Sequence, residues 1–99
     1  MKIIWSDEAK ATFVDVISDI EKNFTKKESG EFVRKSFEVL KVIEKFPKIY
    51  KRTDLRGMKN VRQAVIHPHT TLFYELNRRS IELLFFWFNK DDPSKLETD

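Results

Sequence analysis

Cysteine is absent from this 99-residue chain, and glycine and proline are scarce, with two and three copies. The lack of cysteine excludes a disulfide framework, a thiolate nucleophile and the usual zinc-finger ligand sets. The glycine-rich phosphate loops and the GxSxG and HExxH catalytic motifs are missing as well. We therefore expect a cytoplasmic protein without a metal, a cofactor or a small-molecule substrate.

Long apolar runs are missing too. The segment Met1–Glu8 reaches acidic side chains after a short apolar stretch, so it lacks the core of a signal peptide. No segment approaches the length of about 20 apolar residues that a membrane-spanning helix needs. The sequence predicts a protein that is neither exported by that route nor embedded in a membrane.

What the chain does contain is typical of one globular domain. Hydrophobic residues make up 40% of it and charged residues 35%, and a chain of this length forms one core and little more. We predict a single domain over residues 1–99, in which residues 89–99 form a polar C-terminal tail.

Two stretches carry apolar residues with the 3.6-residue period of an α-helix. The first follows a short predicted strand at Lys2–Ser6 and begins after Ser6, whose hydroxyl can cap it. A polar stretch at 25–30 separates it from the second, which ends before Pro47. The pattern predicts an antiparallel helical hairpin with two buried stripes: Ala9, Phe13, Val16, Ile17, Ile20 and Phe24, then Phe32, Val33, Phe37, Leu40, Ile43 and Phe46.

Three strands are predicted after the helices from β-branched and aromatic residues: Val61–His67, Thr70–Leu76 and Ser80–Phe88. Connections of hairpin length join them into an antiparallel meander. Residues 47–60 show no clear period, so we predict a loop there with a turn around Gly57. The last strand is apolar on both faces, which indicates a central strand with one face under the helices. The predicted fold class is α+β, with an N-terminal strand, a two-helix antiparallel hairpin and a three-stranded antiparallel meander.

Positive charge is concentrated between residues 48 and 62, although the whole chain has a net charge of only +3. The basic residues there stand against a single acid: Lys48, Lys51, Arg52, Arg56, Lys59 and Arg62. Phosphate recognition needs such clustering, because each neutralised phosphate releases condensed counterions. A solvated loop that keeps the protein soluble is the alternative. The candidates for binding a target or a nucleic acid are Lys51, Arg52, Arg56, Lys59 and Arg62.

Other polar and aromatic clusters are less specific. His67 and His69 flank a turn, but a zinc site needs a third ligand and none stands nearby, so we predict no metal site. Asp91 and Asp92 are adjacent in the acidic tail and point opposite ways in an extended segment, which disfavours a paired acid and base. Most aromatic residues fall on periodic faces and are expected in the core. Tyr50 is the best exposed candidate for stacking on a base.

The order of these elements, with a set of short residue matches, resembles the RelE/ParE family of bacterial toxins over nearly the whole chain. The matches are Trp5-Ser6 with Ala9 at the start of the first helix, Phe46-Pro47 at the end of the second, Arg62 at the start of the meander, Leu72-Phe73-Tyr74 in its middle strand and Asp92-Pro93 after the last. The resemblance implies a toxin in the bacterial cytoplasm and a cognate antitoxin whose flexible segment wraps it. A basic toxin suits an acidic partner.

Two mechanisms within that family are open, and they belong to different functional classes. One is ribosome-dependent cleavage of messenger RNA by a metal-independent endoribonuclease. The other is inhibition of DNA gyrase by a toxin that cleaves no RNA. The nuclease branch typically carries an Arg where this chain has Thr71, and a basic and then an aromatic residue where it has the run 89–92, Asn-Lys-Asp-Asp. Acidic side chains there would repel the substrate.

The gyrase mechanism needs only an interaction surface, so the missing nuclease residues do not argue against it and we favour it. If RNA is cleaved nonetheless, the candidate catalytic residues are Arg62 and Lys90 for phosphate charge and His67 for proton transfer. A third reading is a binding module of the same fold without toxicity, because a fold does not fix a function.

Overall fold

The computed structural model describes residues 1–67 and 69–88. This part of the chain forms two helices and five strands. In chain order they are β1 (Lys2–Trp5), α1 (Asp7–Asn23), α2 (Lys26–Lys45), β2 (Lys51–Leu55), β3 (Met58–His67), β4 (Thr70–Leu76) and β5 (Ser80–Phe88).

The strands form one mixed sheet in the order β1-β5-β4-β3-β2. Strand β1 runs parallel to β5, and the other neighbouring pairs are antiparallel. Both helices pack on the same face, α1 mainly over β5 and α2 over β3. Neither described helix is long and apolar enough to cross a membrane. The predicted α+β class, N-terminal strand and helical hairpin are therefore confirmed, whereas the sheet is larger than a three-stranded meander.

The start of α1 is fixed to the sheet by Ser6. Its Oγ accepts a hydrogen bond from the N–H of Ala9 at 3.0 Å and donates one to the carbonyl of Leu84 at 2.9 Å. The first bond caps the helix, and Asp7 and Glu8 in the first turn suit the positive end of the helix dipole. The predicted cap is confirmed, and it also joins the helix to β5.

The second helix begins closer to the first than the polar stretch at 25–30 suggested. Thr25 caps it by accepting a hydrogen bond from the N–H of Glu28 at 3.1 Å, so most of the predicted turn is helical. Ser29 Oγ reaches back to Glu21 Oε2 of α1 at 3.3 Å. The two helices are antiparallel, as predicted, with a very short connection between them.

Three of the predicted stripe residues are exposed. Phe24, Phe37 and Phe46 are 46%, 50% and 57% exposed. On α2 the position facing the sheet is taken instead by Ser36, whose hydroxyl donates to the carbonyl of Phe32 at 2.7 Å and so enters the core without an unsatisfied donor. The buried stripe of α2 therefore runs through Ser36 rather than Phe37, and the serine can take that place because its hydroxyl bonds its own helix.

The main core lies between the helices and the sheet and centres on four aromatic rings. Phe13 packs against Trp5 at 5.3 Å between ring centroids, Phe86 at 5.1 Å and Phe32 at 5.4 Å. These separations are those of favourable edge-to-face and offset contacts. Trp5, at the end of β1, is half-buried and packs against this core.

The prediction of a loop over 47–60 is wrong in its second half. Residues Lys51–Leu55 form β2, and β3 begins at Met58 rather than Val61. Arg56 and Gly57 connect them with φ values of 52° and 77°, the left-handed geometry of a two-residue hairpin turn. Because β2 is an edge strand with only Leu55 buried, it lacks the apolar alternation by which a strand is recognised.

The second apolar face of β5 is covered by a smaller cluster on the side of the sheet away from the helices. It is made of Leu55, Val61, Phe73 and Phe85, with Met58, Leu84 and Trp87 packed against it. Strand β5 lies inside the sheet between β1 and β4, as its two apolar faces predict, although the middle position belongs to β4.

Candidate nucleic-acid interface

The hairpin of β2 and β3 carries all five basic residues predicted to bind a target. Lys51, Arg52, Arg56 and Lys59 are exposed and Arg62 is half-buried. They do not share one face of the sheet, because strand residues alternate sides. The hairpin therefore divides the predicted cluster into separate groups.

Arg52 and Arg62 form the first group and lie directly opposite each other on β2 and β3. Arg62, Ala64 and Ile66 stand at every second position of β3 and therefore share one face. Ala64 and Ile66 are buried in the main core, so the arginine pair is on the helix-bearing face. Arg52 Nη2 donates to the carbonyl of Lys59 at 2.7 Å. Like charges directly opposite each other destabilise a sheet, so this pair needs a compensating partner or a use.

Arg62 also holds the segment that joins α2 to β2. Its Nη1 donates to the carbonyls of Lys48 and Tyr50, at 3.1 and 2.7 Å. The hydroxyl of Tyr74, across the sheet on β4, donates to the carbonyl of Pro47 at 2.9 Å. Burial raises the pKa of Tyr74 to about 12, although the positive charge of Arg62 opposes the rise. Tyr74 is therefore a neutral donor near pH 7.

Tyr50 is not the free stacking platform that the sequence suggested. Its side chain is half-buried and packs against the main core, and its carbonyl is occupied by Arg62. Phe46, next to Pro47, is the more exposed aromatic ring of this segment, whereas Tyr50 contributes mainly to packing.

A groove of about 380 Å³ opens beside the Arg52–Arg62 pair. Its lining combines the hairpin, the segment after α2 and the turn between β4 and β5: Lys48, Arg52, Asn60, Arg62, Leu76, Asn77 and Arg78. Four of these side chains are cationic and none is acidic. We call this site the basic groove from here on.

The contribution of Arg78 was missed from the sequence. The sequence predicts residues 77–79, Asn-Arg-Arg, only as a hairpin connection, and nothing in its composition says which neighbouring strand end it faces. Because β4 lies next to β3, the turn after Leu76 comes to the same end of the sheet as Asn60. Two consecutive arginines in a turn were the signal in the sequence that could have suggested a contribution to a basic site.

Arg56 and Lys59 lie outside the basic groove. The guanidinium of Arg56 sits 5.8 Å from the ring centre of Phe85, within cation–π range on the face away from the helices. Lys59 lines a groove of about 290 Å³ together with Asp54, whose carboxylate offsets the charge there. These two residues extend the positive surface without adding to the groove.

The residues proposed for RNA cleavage are only partly within the described structure. Lys90 and the side chain of His67 lie outside it. The backbone of His67 is five positions beyond Arg62 on β3, about 16 Å at the rise of an extended strand. His69 stacks on Phe24 at 5.4 Å, and within the described part of the chain no three acidic or histidine side chains are grouped to hold a metal. The nuclease set stays a prediction.

Comparison with known proteins supplies the name of the fold. No family model and no curated protein sequence matches the chain. Among solved structures, it is similar to the chromosomal ParDE TA system from P. aeruginosa, with a TM-score of 0.72 and 12% identity over 91% of this chain and 97% of that one. It is also similar to the YoeB dimer from Staphylococcus aureus, with a TM-score of 0.60 and 18% identity over 90% and 97% of the two chains.

The chain has the RelE/ParE fold.

The resemblance to this family is thereby confirmed at the level of the fold, which is what identities of 12% and 18% establish. The predicted meander forms three of the five strands of the mixed sheet. Strand β1 adds an edge strand parallel to β5, and β2 forms the other edge.

Proposed function

We propose that the chain is the toxin of a type II toxin–antitoxin system, one domain over residues 1–99 that acts in the bacterial cytoplasm by binding and inhibiting DNA gyrase. The observation that carries the proposal is the match to the ParDE TA structure, which extends over 91% of this chain. The proposed partners are a cognate antitoxin and the gyrase target.

The surface opposite the helices favours binding over RNA cleavage. Thr71, at the position where the nuclease branch typically has an Arg, lies between Val65 on β3 and Trp87 on β5. Val65 is 66% exposed, so this row presents an apolar surface and no cation to a scissile phosphate. Phosphoryl transfer depends on positive groups at the reacting phosphate. An apolar row suits a protein target instead.

The charge of the hairpin suits both proposed partners. Four exposed basic side chains and the basic groove give the β2–β3 side of the molecule a positive field, which attracts acidic proteins and nucleic acid and speeds their association. Gyrase works on DNA, so an inhibitor bound to the enzyme would lie near a polyanion. An acidic antitoxin would cover the same surface.

The experiment is inducible expression in bacteria, scoring growth, messenger RNA cleavage on ribosomes and plasmid supercoiling in the same cultures. A variant with Lys51→Glu and Lys59→Glu reverses charge on the hairpin. Its matched control carries Lys10→Glu and Lys41→Glu, which make the same change at exposed positions of the helices. Both variants must be soluble at wild-type levels.

We expect growth arrest, intact messages and relaxed plasmid from the wild type and the helix control, and weaker arrest from the hairpin variant. Normal growth despite soluble expression would refute the toxin proposal and leave a binding module of the same fold. Arrest that is identical in all three proteins would show that the basic hairpin does not engage the target.

Messenger RNA cleavage on ribosomes is the second candidate, and the similarity to YoeB supports it. Under that mechanism Arg62, Lys90 and His67 are the proposed catalytic residues. Cut messages in the same cultures would replace the gyrase proposal with this one. Arg62→Ala is a poor single probe of it, because Arg62 also holds the backbone at Lys48 and Tyr50.

A further inference from the structure

We propose that the basic groove is a binding site for the phosphodiester backbone of a nucleic-acid strand, with Arg78 and Lys48 as ligands beside the Arg52–Arg62 pair. The inference deepens the proposed function, because it rests on the basic surface engaging the target and names the chemistry that the surface recognises. It also adds Lys48 and Arg78 to the residues predicted from the sequence.

The first argument is the uncompensated charge of the groove. Four cationic side chains line it without a carboxylate among them. Arg34 forms ion pairs with Glu31 and Glu38 on the exposed surface of α2, but within residues 1–67 and 69–88 none of the four groove cations forms one. The described part of the chain thus gives the groove no internal counterion. An anionic ligand supplies the missing charge.

The second argument is that the two arginines are already oriented. Arg62 uses Nη1 for its bonds to the carbonyls of Lys48 and Tyr50, and within the described part of the chain Nη2 and Nε make no bond that would compete with a ligand. Arg52 is held through Nη2 by the carbonyl of Lys59. A guanidinium fork matches the geometry of phosphate oxygens. Fixing its orientation in advance removes part of the entropy that binding would otherwise cost.

The third argument is the arrangement of the pair itself. Arg52 and Arg62 are cross-strand neighbours on the same face, where two like charges repel. A phosphate between them turns that repulsion into two attractions.

A nucleic-acid strand fits the surroundings better than a free phosphate does. Positive charge continues beyond the groove, because Arg52 also lines the neighbouring groove that contains Lys59, so the positive path is longer than one anion. Asn60 and Asn77 add amide donors and acceptors that suit sugar and base edges. Leu76 supplies an apolar patch among them.

The test compares two neighbouring arginines of the same turn. Arg78 lines the groove and Arg79 does not, and both are exposed. Binding of the purified protein to labelled 12-nucleotide DNA and RNA strands and to a DNA duplex is measured by fluorescence anisotropy over a range of salt concentrations. The proteins are the wild type, Arg78→Ala, Arg79→Ala and Lys48→Ala. A 12-nucleotide probe spans more than one phosphate site.

We expect Arg78→Ala and Lys48→Ala each to weaken binding about fivefold or more and to reduce the slope of log K against log salt by about 0.7 to 0.9, the loss of one phosphate contact. Arg79→Ala should stay within about twofold of the wild type. Circular dichroism of all four proteins checks that they are folded.

Equal losses in Arg78→Ala and Arg79→Ala would overturn the proposal, because only general positive charge would then matter. Competition by inorganic phosphate as effective, per phosphate, as by the oligonucleotide would overturn it too and identify a small-anion site. The growth assay is a separate readout. Oligonucleotide binding without growth arrest would support the groove as a binding site and refute the toxin proposal. Growth arrest without oligonucleotide binding would support the toxin proposal and refute the groove as a binding site.

Discussion

Arg62 and Tyr74 lie directly opposite each other on β3 and β4, and both donate hydrogen bonds to the same short segment between α2 and β2. The Tyr74 hydroxyl reaches the carbonyl of Pro47, and Arg62 Nη1 reaches those of Lys48 and Tyr50. A segment without regular structure is thereby fixed against the sheet at three carbonyls, and Lys48 is brought to the rim of the basic groove.

Tyr74→Phe should lower the free energy of unfolding by about 1 kcal/mol, because it removes the donor to Pro47 and leaves that part-buried carbonyl unsatisfied. Urea denaturation measures the change. Tyr50→Phe is the matched control, since the structure gives the Tyr50 hydroxyl no hydrogen bond in the described part of the chain. Equal midpoints for wild type and Tyr74→Phe would contradict the contact.

The raised pKa of Tyr74 predicts a loss of stability at high pH. The folded-state pKa of about 12 lies above the ordinary tyrosine value of about 10. The contribution of the neutral hydroxyl is complete below pH 10 and is lost as the pH rises toward 12. The difference in unfolding free energy between wild type and Tyr74→Phe should therefore shrink over that range.

Absorbance of tyrosinate in a Tyr50→Phe background reports Tyr74 alone, because the chain has only two tyrosines. We expect the folded protein to titrate near pH 12. A midpoint near pH 10 in protein that circular dichroism shows to be folded would contradict the buried environment of this side chain.

Ser6→Ala should cost about 1 to 2 kcal/mol, because it removes both the cap of α1 and the bond to the carbonyl of Leu84. Ser18→Ala makes the same change at an exposed position inside the same helix and should be neutral or slightly stabilising. Thermal and urea unfolding compare the two. Equal effects would show that Ser6 does not tie the helix to the sheet.

Two phenylalanines of α2 test where the core lies. Phe32 is fully buried among the aromatic rings, whereas Phe37 is 50% exposed. We expect Phe32→Ala to cost about 3 to 5 kcal/mol and Phe37→Ala about 1 kcal/mol or less. Similar costs would support the stripe predicted from sequence and contradict the offset that buries Ser36.

Local signals in the sequence predicted most of the fold. The apolar period defined both helices, the Ser6 hydroxyl defined the start of α1, and the β-branched and aromatic runs defined β4 and β5 to the residue. These features depend on neighbours within a few positions. They could be predicted because the residues that determine each feature are close to it in the sequence.

What the sequence did not predict depends on residues that are distant along the chain. Strand β2 is an edge strand, and it is extended because it pairs with β3 rather than because of its own composition. The basic groove needs the order of the sheet to bring Arg78 near Arg62. Ser36 is buried because its hydroxyl bonds the carbonyl of Phe32, which a hydrophobic pattern does not record.

The measurement that tests the central proposal most directly is the supercoiling of relaxed plasmid by purified DNA gyrase with increasing amounts of this protein. We predict dose-dependent inhibition by the wild type and by the Lys10→Glu, Lys41→Glu control, with much weaker inhibition by the Lys51→Glu, Lys59→Glu variant. If the protein arrests growth when it is expressed but leaves supercoiling complete at its highest concentration in this assay, gyrase is not the target.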